Sequence, residues 1–327
     1  MAGSAVLSVV IPAYNEEEML KKTAAELDRV LSEAEIAHEL IFVDDGSTDN
    51  TWNMITQVSD AYPGVRGLHF SRNFGKEAAI FAGLEQAGGD CAAVIDCDLQ
   101  HPPEVLVEMF RLWSEGCQIV EARKRSRGRE GLLHKACAGV FYALMSKAVG
   151  FDMRGASDFK LLDRQALDTL LRMPERNVFF RAMSSWIGYR CATVEFDVRQ
   201  REAGKSKWST GRLTAYAIRN ITGYTSAPLH IVTVAGFVTL VLALVLGVQT
   251  LVRYFSGSAV EGFTTVIMLL LIIGSLIMIG LGVIGLYLSK IYEELKGRPR
   301  YIISDVTPGA RTEPAGMPDR ERCNVSL

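Results

Sequence analysis

Short apolar runs alternate with helical patterns along the N-terminal third of the chain. The runs are rich in β-branched residues, which is typical of buried parallel strands, and the segments between them have the length and periodicity of helices. The predicted strands are 6–12, 39–43, 65–70, 93–95 and 119–122, and the predicted helices are 13–35, 51–62, 77–87 and 103–115. A further helix is predicted at 179–186 and an edge strand at 191–198. This alternation predicts an α/β domain with a mostly parallel sheet and helices on both faces.

The C-terminal third has a different pattern. Residues 220–252 contain no charged side chain other than His230, and residues 262–289 contain none. Each run exceeds the roughly 20 apolar residues that cross a bilayer. Two transmembrane helices are therefore predicted. Basic residues flank the spans on their outer sides: Arg212, Arg219, Lys290, Lys296, Arg298 and Arg300. The bias of basic residues toward the cytoplasm predicts that both termini are cytoplasmic.

These patterns predict the domain boundaries. A cytosolic domain is expected over 1–207, with an amphipathic helix near 131–149 at the membrane interface and a second interfacial helix at 208–228. The predicted spans are 229–255 and 262–289. They are followed by a basic cytosolic segment at 290–304 and a disordered tail at 305–327, which is rich in proline, glycine and charge.

Composition narrows the class of protein. The net charge is −2, so no global field favours nucleic acid as a partner. Hydrophobic residues make up 49% of the chain and the mean hydropathy is +0.16, an excess that comes from the C-terminal runs. The six cysteines show no paired metal-ligand spacing, so they are interpreted as reduced thiols.

Polar residues follow the predicted strands. Asp96 and Asp98 come as the 93–95 strand ends, and alternate residues of an extended segment point to the same side. Two carboxylates at the carboxyl edge of a sheet suit Mg²⁺ or Mn²⁺ that also binds a substrate phosphate. Asp45 is a candidate for contact with a base or ribose, and Lys76 for contact with phosphate. No glycine-rich phosphate loop follows these strands, which disfavours dinucleotide-binding and P-loop classes.

Two basic segments lie further along the chain. Residues 123–129 carry five positive charges in seven positions, which favours either a clamp on phosphate groups or a loop near anionic lipid. The clamp interpretation makes Arg125, Arg127 and Arg129 candidates for the phosphate of an acceptor. Residues 199–208 form a second basic loop, which is suited to fold over phosphates as a lid or to lie at the interface.

Three ordered motifs carry a family resemblance. Residues 9–16 (VVIPAYNE), 43–49 (VDDGSTD) and 96–100 (DCDLQ) resemble glycosyltransferase family 2 with a GT-A fold. Together with two C-terminal spans, they are most similar to the polyprenyl-phosphate glycosyltransferases of that family. The resemblance covers about residues 6–301 and is specific for the family but not for the sugar.

The resemblance implies roles for individual residues. The nucleotide sugar would contact Pro12, Tyr14, Glu16, Asp45, Lys76, Asp96, Arg123, Arg201 and Lys207. Asp96, Asp98 and Gln100 would form the metal and diphosphate site, with Asp98 also catalytic. Asp158 matches the family's usual candidate for a catalytic base. Because a phosphate monoester has a second pKa of about 6 and needs little deprotonation at neutral pH, Asp158 could instead orient an arginine or a metal-bound water.

The activity implied is inverting, metal-dependent transfer of a sugar from a nucleotide-diphosphate donor to polyprenyl (undecaprenyl) phosphate at the cytoplasmic face of a bacterial inner membrane. UDP-glucose is the favoured donor, with N-acetylglucosamine, aminoarabinose and mannose donors left open. Family relatives also suggest a homotetramer, with a flippase as a further candidate partner. A catalytically silent sensor or flippase scaffold that binds nucleotide sugars is the alternative from another class. A processive polysaccharide synthase is disfavoured, because such enzymes need more spans.

Overall fold

The structure is a computed structural model that describes residues 5–125, 146, 157–175, 179–199, 227–256 and 263–310. The chain divides into two compact units. One comprises residues 1–207 together with 298–327, and the other residues 208–297. Both predicted interfacial helices fall outside the described residues, apart from Ser146 and the last residues of the second segment.

The first unit is built on a single sheet. Its described strands are β1 (Val6–Ala13), β2 (Ala37–Asp44), β3 (Val65–Phe70), β4 (Cys91–Val94), β5 (Ile119–Lys124), β6 (Lys160–Asp163), β7 (Cys191–Phe196) and β8 (Ile303–Val306). They lie in the order β7-β5-β6-β4-β1-β2-β3-β8. The pairs β1–β2, β1–β4, β2–β3 and β5–β7 are parallel. The predicted mostly parallel sheet is thereby confirmed.

Helices cover both faces of this sheet. The described helices of the unit are α1 (Leu20–Glu33), α2 (Thr51–Ala61), α3 (Lys76–Gln86), α4 (Glu104–Ser114), α5 (Arg164–Leu171) and α6 (Phe180–Trp186). Helices α1, α2 and α4 pack on one face, and α3, α5 and α6 on the other. Helix α1 buries Leu20, Ala24, Leu27 and Leu31, a helical spacing that places them on one side. At Gly83 in α3 a Cβ would lie 2.2 Å from Val10 Cγ1, so only glycine allows this close packing on β1.

The first helix begins later than predicted. Helix α1 starts at Leu20, whereas the acidic residues after β1 had suggested a start at residue 13. Asn15 has φ of +53°, a left-handed conformation that a helix cannot contain. The residues between β1 and α1 form a loop at the carboxyl edge of the sheet.

Two strands of the sheet were not predicted. Strand β6 lies between β4 and β5 and is antiparallel to both, with Lys160 opposite Val94 on one side and Glu121 on the other. Strand β8 pairs antiparallel with β3 at the other end of the sheet. The boundary expected at residue 304 falls inside β8, and the described chain continues to Ala310, so residues 305–310 are ordered rather than part of a disordered tail.

The C-terminal segment is held to the sheet by several side chains. Thr307 Oγ1 accepts a hydrogen bond from Gly67 N at 2.8 Å. The Tyr301 ring stacks on Phe70 with centroids 5.0 Å apart, and its hydroxyl donates to Glu85 Oε2 at 2.5 Å. These contacts explain why a segment that follows the second apolar helix belongs to the first unit.

The second unit contains two long apolar helices, α7 (Ala227–Phe255) and α8 (Phe263–Leu295). Within them, Leu229–Gln249 and Ile272–Leu295 are long and apolar enough to cross a membrane. Large apolar side chains such as Phe237, Leu244 and Ile277 are exposed on their surfaces. Such surfaces are typical of helices that face lipid or another apolar partner.

Candidate active site

Two loops at the carboxyl edge of the sheet are joined by hydrogen bonds. Asn15 N donates to Ser47 Oγ at 2.8 Å, and Thr48 N donates to Asn15 Oδ1 at 2.9 Å. Glu16 N donates to Thr51 Oγ1 at 2.9 Å. The loop after β1 and the loop after β2 therefore form one rigid rim. Since loop residues at the ends of parallel strands are where α/β sheets bind ligands, this rim is a candidate nucleotide site.

The residues predicted on the first loop differ in exposure. Pro12 is buried within β1, Glu16 is half-buried, and Tyr14 is 37% exposed. Tyr14 therefore offers an aromatic face to solvent at the rim, which suits contact with a base.

Asp45 is buried and binds a neighbouring loop. Its side chain is 4% exposed, and its oxygens accept hydrogen bonds from Phe74 N at 2.7 Å and Gly75 N at 3.0 Å. Burial raises the pKa of Asp45 to about 6, although the two backbone N–H groups oppose the shift. At Gly46, with φ of +66°, a Cβ would lie 2.4 Å from Arg72 C, so glycine permits the close approach of the two loops. Asp45 therefore positions residues 72–75, in addition to its predicted role in binding the nucleotide.

The motif after β4 alternates between buried and accessible residues. Cys97 and Leu99 are buried, whereas Asp96, Asp98 and Gln100 are half-buried. Asp98 Oδ1 accepts a hydrogen bond from Gln100 N at 3.1 Å, which closes a tight turn. Leu99 has φ of +52°, a strained conformation for a residue with a Cβ. Strain of this kind at the end of a strand is typical of functional loops.

Lys76 connects this motif to Asp158. Its Nζ lies 2.6 Å from Asp96 Oδ1 and 2.9 Å from Asp158 Oδ2. Burial would lower the pKa of Lys76, but the charges of Asp158 and Asp96 outweigh it and raise the pKa above its ordinary value. Lys76 is thus a fixed cation between two carboxylates.

Asp158 also binds Arg181 on helix α6 with both oxygens. Arg181 Nε lies 2.6 Å from Asp158 Oδ1 and Arg181 Nη2 lies 2.8 Å from Asp158 Oδ2. Burial would raise the pKa of Asp158, but the charges of Arg181 and Lys76 hold it well below its usual range. At neutral pH this carboxylate is ionised and fully engaged with cations, which are poor conditions for a general base.

The antiparallel direction of β6 brings these groups together. Because β6 runs against β4, its first residues lie beside the end of β4. Continuing that register by two residues brings Asp158 level with Asp96. The helices α3 and α6 on the same face then supply Lys76 and Arg181.

The predicted arginines at the end of β5 and directly after it have carboxylate partners. Arg123 Nε lies 2.9 Å from Glu121 Oε2. The more exposed Arg125 lies 3.4 Å from Glu195 Oε2 and 3.5 Å from Asp197 Oδ2. Arg127, Arg129, Arg201 and Lys207 lie outside the described residues. Arg125 is therefore less available to an anion than the sequence alone suggested.

Three residues near the site were not predicted. Arg181 is one cation in a short helix, and its sequence context gave no sign of its pairing with Asp158. Glu77 Oε2 accepts a hydrogen bond from Phe180 N at 2.9 Å, and burial raises its pKa. His101 is stacked 5.2 Å from the Phe159 ring, and its Nδ1 has no hydrogen-bond partner among the described residues. The position of His101 near the site could have been predicted from the Asp-Leu-Gln-His-Pro run, because His101 directly follows Gln100 of the predicted metal motif.

The carboxylates after β4 fit a divalent cation only with help from a substrate. In the described ranges, no three His, Cys, Asp or Glu residues come together as a metal-binding group. Mg²⁺ commonly takes one or two carboxylates and completes its shell with water and substrate phosphates. Asp96 and Asp98, both accessible at the strained turn, supply that donor set. The residues present are therefore compatible with a cation that arrives with a diphosphate.

The mostly parallel sheet and the aspartates that follow β4 define a glycosyltransferase of the GT-A fold. A family model described as glycosyl transferase family 2 matches residues 8–169. The prophage bactoprenol glucosyl transferase homolog of Escherichia coli K12 is 36% identical over 305 residues, covering 92% of this chain and 99% of that protein. The chain belongs to glycosyltransferase family 2, as its motifs predicted.

Other similar proteins span comparable lengths. The bactoprenol glucosyl transferase of Shigella phage SfII is 36% identical over 302 residues, which is 91% of this chain and 97% of that one. Among solved structures, glucosyl-3-phosphoglycerate synthase from Mycobacterium tuberculosis, in complex with Mn²⁺, UDP and phosphoglyceric acid, is 22% identical. That match covers 67% of this chain and 76% of the other, with a TM-score of 0.46.

Proposed function

We propose that this glycosyltransferase transfers glucose from UDP-glucose to undecaprenyl phosphate, with inversion at the anomeric carbon. The observation that carries the proposal is the near full-length similarity to proteins named bactoprenol glucosyl transferase, since it extends over more than nine-tenths of both chains. Because the two matches cover 92% and 91% of this chain, the matched part takes in the two apolar helices as well as the sheet domain. A sugar donor alone would not require such helices, whereas a polyprenyl acceptor is confined to a membrane.

The donor is assigned to the rim and to the motif after β4. Tyr14 and the loop held by Asp45 would bind the nucleoside, with Pro12 and Glu16 shaping the rim. Asp96 and Asp98, with Gln100, would hold Mg²⁺ or Mn²⁺, which when bound places positive charge beside the diphosphate. Arg123, and Arg201 and Lys207 from the second basic loop, would stabilise the charge that grows on the departing diphosphate.

The acceptor phosphate is assigned to the cationic cluster, which comprises Lys76 and Arg181 together with Asp158, to which both bind. An oxygen of the phosphate attacks the anomeric carbon, and the bond from that carbon to the diphosphate breaks on the opposite side. The phosphate monoester is largely a dianion at neutral pH, so no side chain needs to remove a proton. Asp158 would therefore fix Lys76 and Arg181, and Arg125, Arg127 and Arg129 would draw the acceptor toward them.

The membrane location completes the proposal. The helices α7 and α8 would cross a bacterial inner membrane twice, with the sheet domain and both termini in the cytoplasm, as the flanking basic residues indicate. Anchoring the domain beside the bilayer brings an insoluble acceptor to a soluble donor, which lowers the entropic cost of their encounter. A homotetramer and a flippase partner are further proposals for the assembled protein.

The experiment is a transfer assay with the full chain purified in detergent. Undecaprenyl phosphate is offered with labelled UDP-glucose, UDP-N-acetylglucosamine or GDP-mannose, each with Mn²⁺, with Mg²⁺ or with chelator. We expect label from UDP-glucose to move into the organic phase, only with metal, and the product to carry the inverted anomer. Asp98→Ala should abolish the transfer.

The other outcomes discriminate between alternatives. Transfer from another donor would contradict the proposed sugar but support the proposed type of reaction. Nucleotide binding without transfer from any donor would contradict the proposal and favour a silent nucleotide-sugar binder. Transfer that persists in chelator would contradict the metal assignment. The thermal unfolding midpoint of Asp98→Ala shows whether a loss of transfer in that variant comes from the missing carboxylate or from a loss of folding.

A further inference from the structure

A buried ion pair crosses the sheet next to the candidate site. Glu121 on β5 and Lys160 on β6 are directly opposite in the antiparallel register. Lys160 is completely buried and Glu121 is 2% exposed, and Lys160 Nζ lies 3.4 Å from Glu121 Oε1. Burying two charges is costly, and an apolar pair of the same volume is often at least as stable. Their presence calls for an explanation other than stability.

Lys160 is bound to the helix that carries Arg181. Its Nζ donates to Ser185 Oγ at 2.9 Å and to the carbonyl oxygen of Arg181 at 3.2 Å. The side chain of the same Arg181 binds Asp158 through two nitrogens. Lys160 therefore fixes the backbone of the residue whose guanidinium forms part of the cationic cluster.

Glu121 is bound to the predicted donor-site arginine. Its Oε2 accepts a hydrogen bond from Arg123 Nε at 2.9 Å. Residues 121 and 123 are alternate positions of β5 and so lie on the same face. The buried pair thus has Arg123 attached at one end and Arg181 at the other.

We propose that Lys160 and Glu121 are positioning residues for sugar transfer, which fix Arg123 and Arg181 relative to each other across β5 and β6. The proposal rests on the function proposed above, in which Arg123 faces the donor diphosphate and Arg181 belongs to the acceptor side. A rigid link between these two cations holds the diphosphate and the phosphate in line with the anomeric carbon. Small displacements of groups that align reactants reduce the rate of the chemical step more than they reduce binding.

The test is the double variant Glu121→Gln with Lys160→Met, which removes both buried charges and approximately keeps both volumes. We expect kcat at saturating donor to fall by roughly 10–100-fold. The thermal unfolding midpoint and the affinity for UDP with Mn²⁺ should stay close to wild type. Hydrogen exchange of the peptides covering 119–125 and 180–186 should become faster, because both segments lose their tie.

Two further variants keep the test decisive. Ser185→Ala removes one Lys160 contact without leaving a charge unpaired, and we expect a smaller fall in kcat in the same direction. Glu39→Gln is the matched control, because Glu39 is also a buried sheet carboxylate (8% exposed) that pairs with Arg66 and accepts from Ser8 Oγ at 2.6 Å. It lies far along β2 from the site residues, so we expect lower thermal stability with unchanged kcat.

The outcomes separate this proposal from the proposed function. Unchanged kcat in the double variant, or a fall matched by Glu39→Gln, would overturn the positioning role. The exchange measurement does not need transfer. Unchanged exchange at 180–186 in the double variant overturns the proposal even when the wild type transfers no sugar. Absence of wild-type transfer with faster exchange in the variant instead overturns the proposed function alone.

Discussion

Two carboxylates on the two halves of the sheet are equally buried and behave oppositely. Asp45 follows β2, and Asp158 precedes β6, and each is 4% exposed. The pKa of Asp45 is raised to about 6 by burial, whereas that of Asp158 is held well below its usual range by Arg181 and Lys76 despite burial. The difference lies in their partners.

Asp45 binds uncharged amides and Asp158 binds cations. The backbone N–H groups of Phe74 and Gly75 only partly offset the burial of Asp45. Two neighbouring cations more than offset the burial of Asp158. Burial alone therefore does not identify a catalytic base. Asp158, which the family resemblance predicts as the base, is the one of the two that remains ionised and paired with cations. These properties suit a residue that holds cations in place.

We expect the largest effect from Asp158→Asn, which removes the charge that distinguishes Asp158 from Asp45. The amide keeps the shape but leaves Lys76 and Arg181 without their shared counter-ion, so the geometry of the cluster is lost. We expect kcat for sugar transfer to fall on the order of 10²–10³-fold. A steady-state transfer assay measures the effect, with UDP binding as a check on folding. A variant that retains more than about half of the activity would show that the cluster does not need this charge.

Lys76→Met removes the cation that lies between Asp96 and Asp158. Asp96 and Asp158 would then repel each other without Lys76 between them, and the metal motif would lose its fixed neighbour. We expect a fall in kcat of roughly 10–100-fold, with partial recovery in Lys76→Arg because the charge is kept. Equal activity of the two variants would contradict a role for the charge.

Asp45→Asn tests the raised pKa of Asp45 through the pH dependence of the free energy of unfolding. The folded protein binds the Asp45 proton more tightly than the unfolded chain does, because the pKa of Asp45 is raised from its ordinary value of 3.8. The protonated side chain therefore contributes fully to stability at pH values below 3.8. This contribution is lost as pH rises through about 6. The variant cannot ionise at this position, so its stability should gain on wild type by roughly 2–3 kcal/mol across that window.

Denaturant unfolding of both proteins on each side of the window measures this gain. A constant difference between wild type and Asp45→Asn at all pH values would contradict the raised pKa.

The smallest effect is expected at β8, the strand at the edge of the sheet next to β3. Thr307→Val removes the hydroxyl that accepts from Gly67 N but keeps the volume. Because a buried N–H is left unpaired, we expect about 1–2 kcal/mol of destabilisation in thermal unfolding. Transfer below the unfolding temperature should be unchanged. A loss of activity without a loss of stability would indicate that β8 acts on the site.

Local patterns predicted the parallel half of the fold well. Strand β3 has the predicted bounds of 65–70, and the apolar runs at β1, β2 and β5 were placed within a few residues. These strands are largely buried, and β1 and β2 are followed by amphipathic helices, so their composition is informative. The carboxylates after β4 could be predicted because the motif is continuous in sequence.

Long-range pairing could not be predicted in the same way. Strand β6 has only four residues and includes a buried lysine, which contradicts the pattern of a central strand. Strand β8 is separated from its partner β3 by both apolar helices. The contact of Asp158 with Arg181 depends on β6 and α6 packing together, so no spacing in the sequence encodes it.

The most direct test is a carboxyl ¹³C NMR titration of the aspartates in the full chain in detergent. Asp45→Asn and Asp158→Asn identify the two resonances. We predict that Asp45 titrates with a midpoint near 6 and that Asp158 shows no titration above its ordinary value of 3.8. A midpoint for Asp158 within about two units of neutrality would contradict its assignment as an ionised anchor for Lys76 and Arg181, and would support a role as general base.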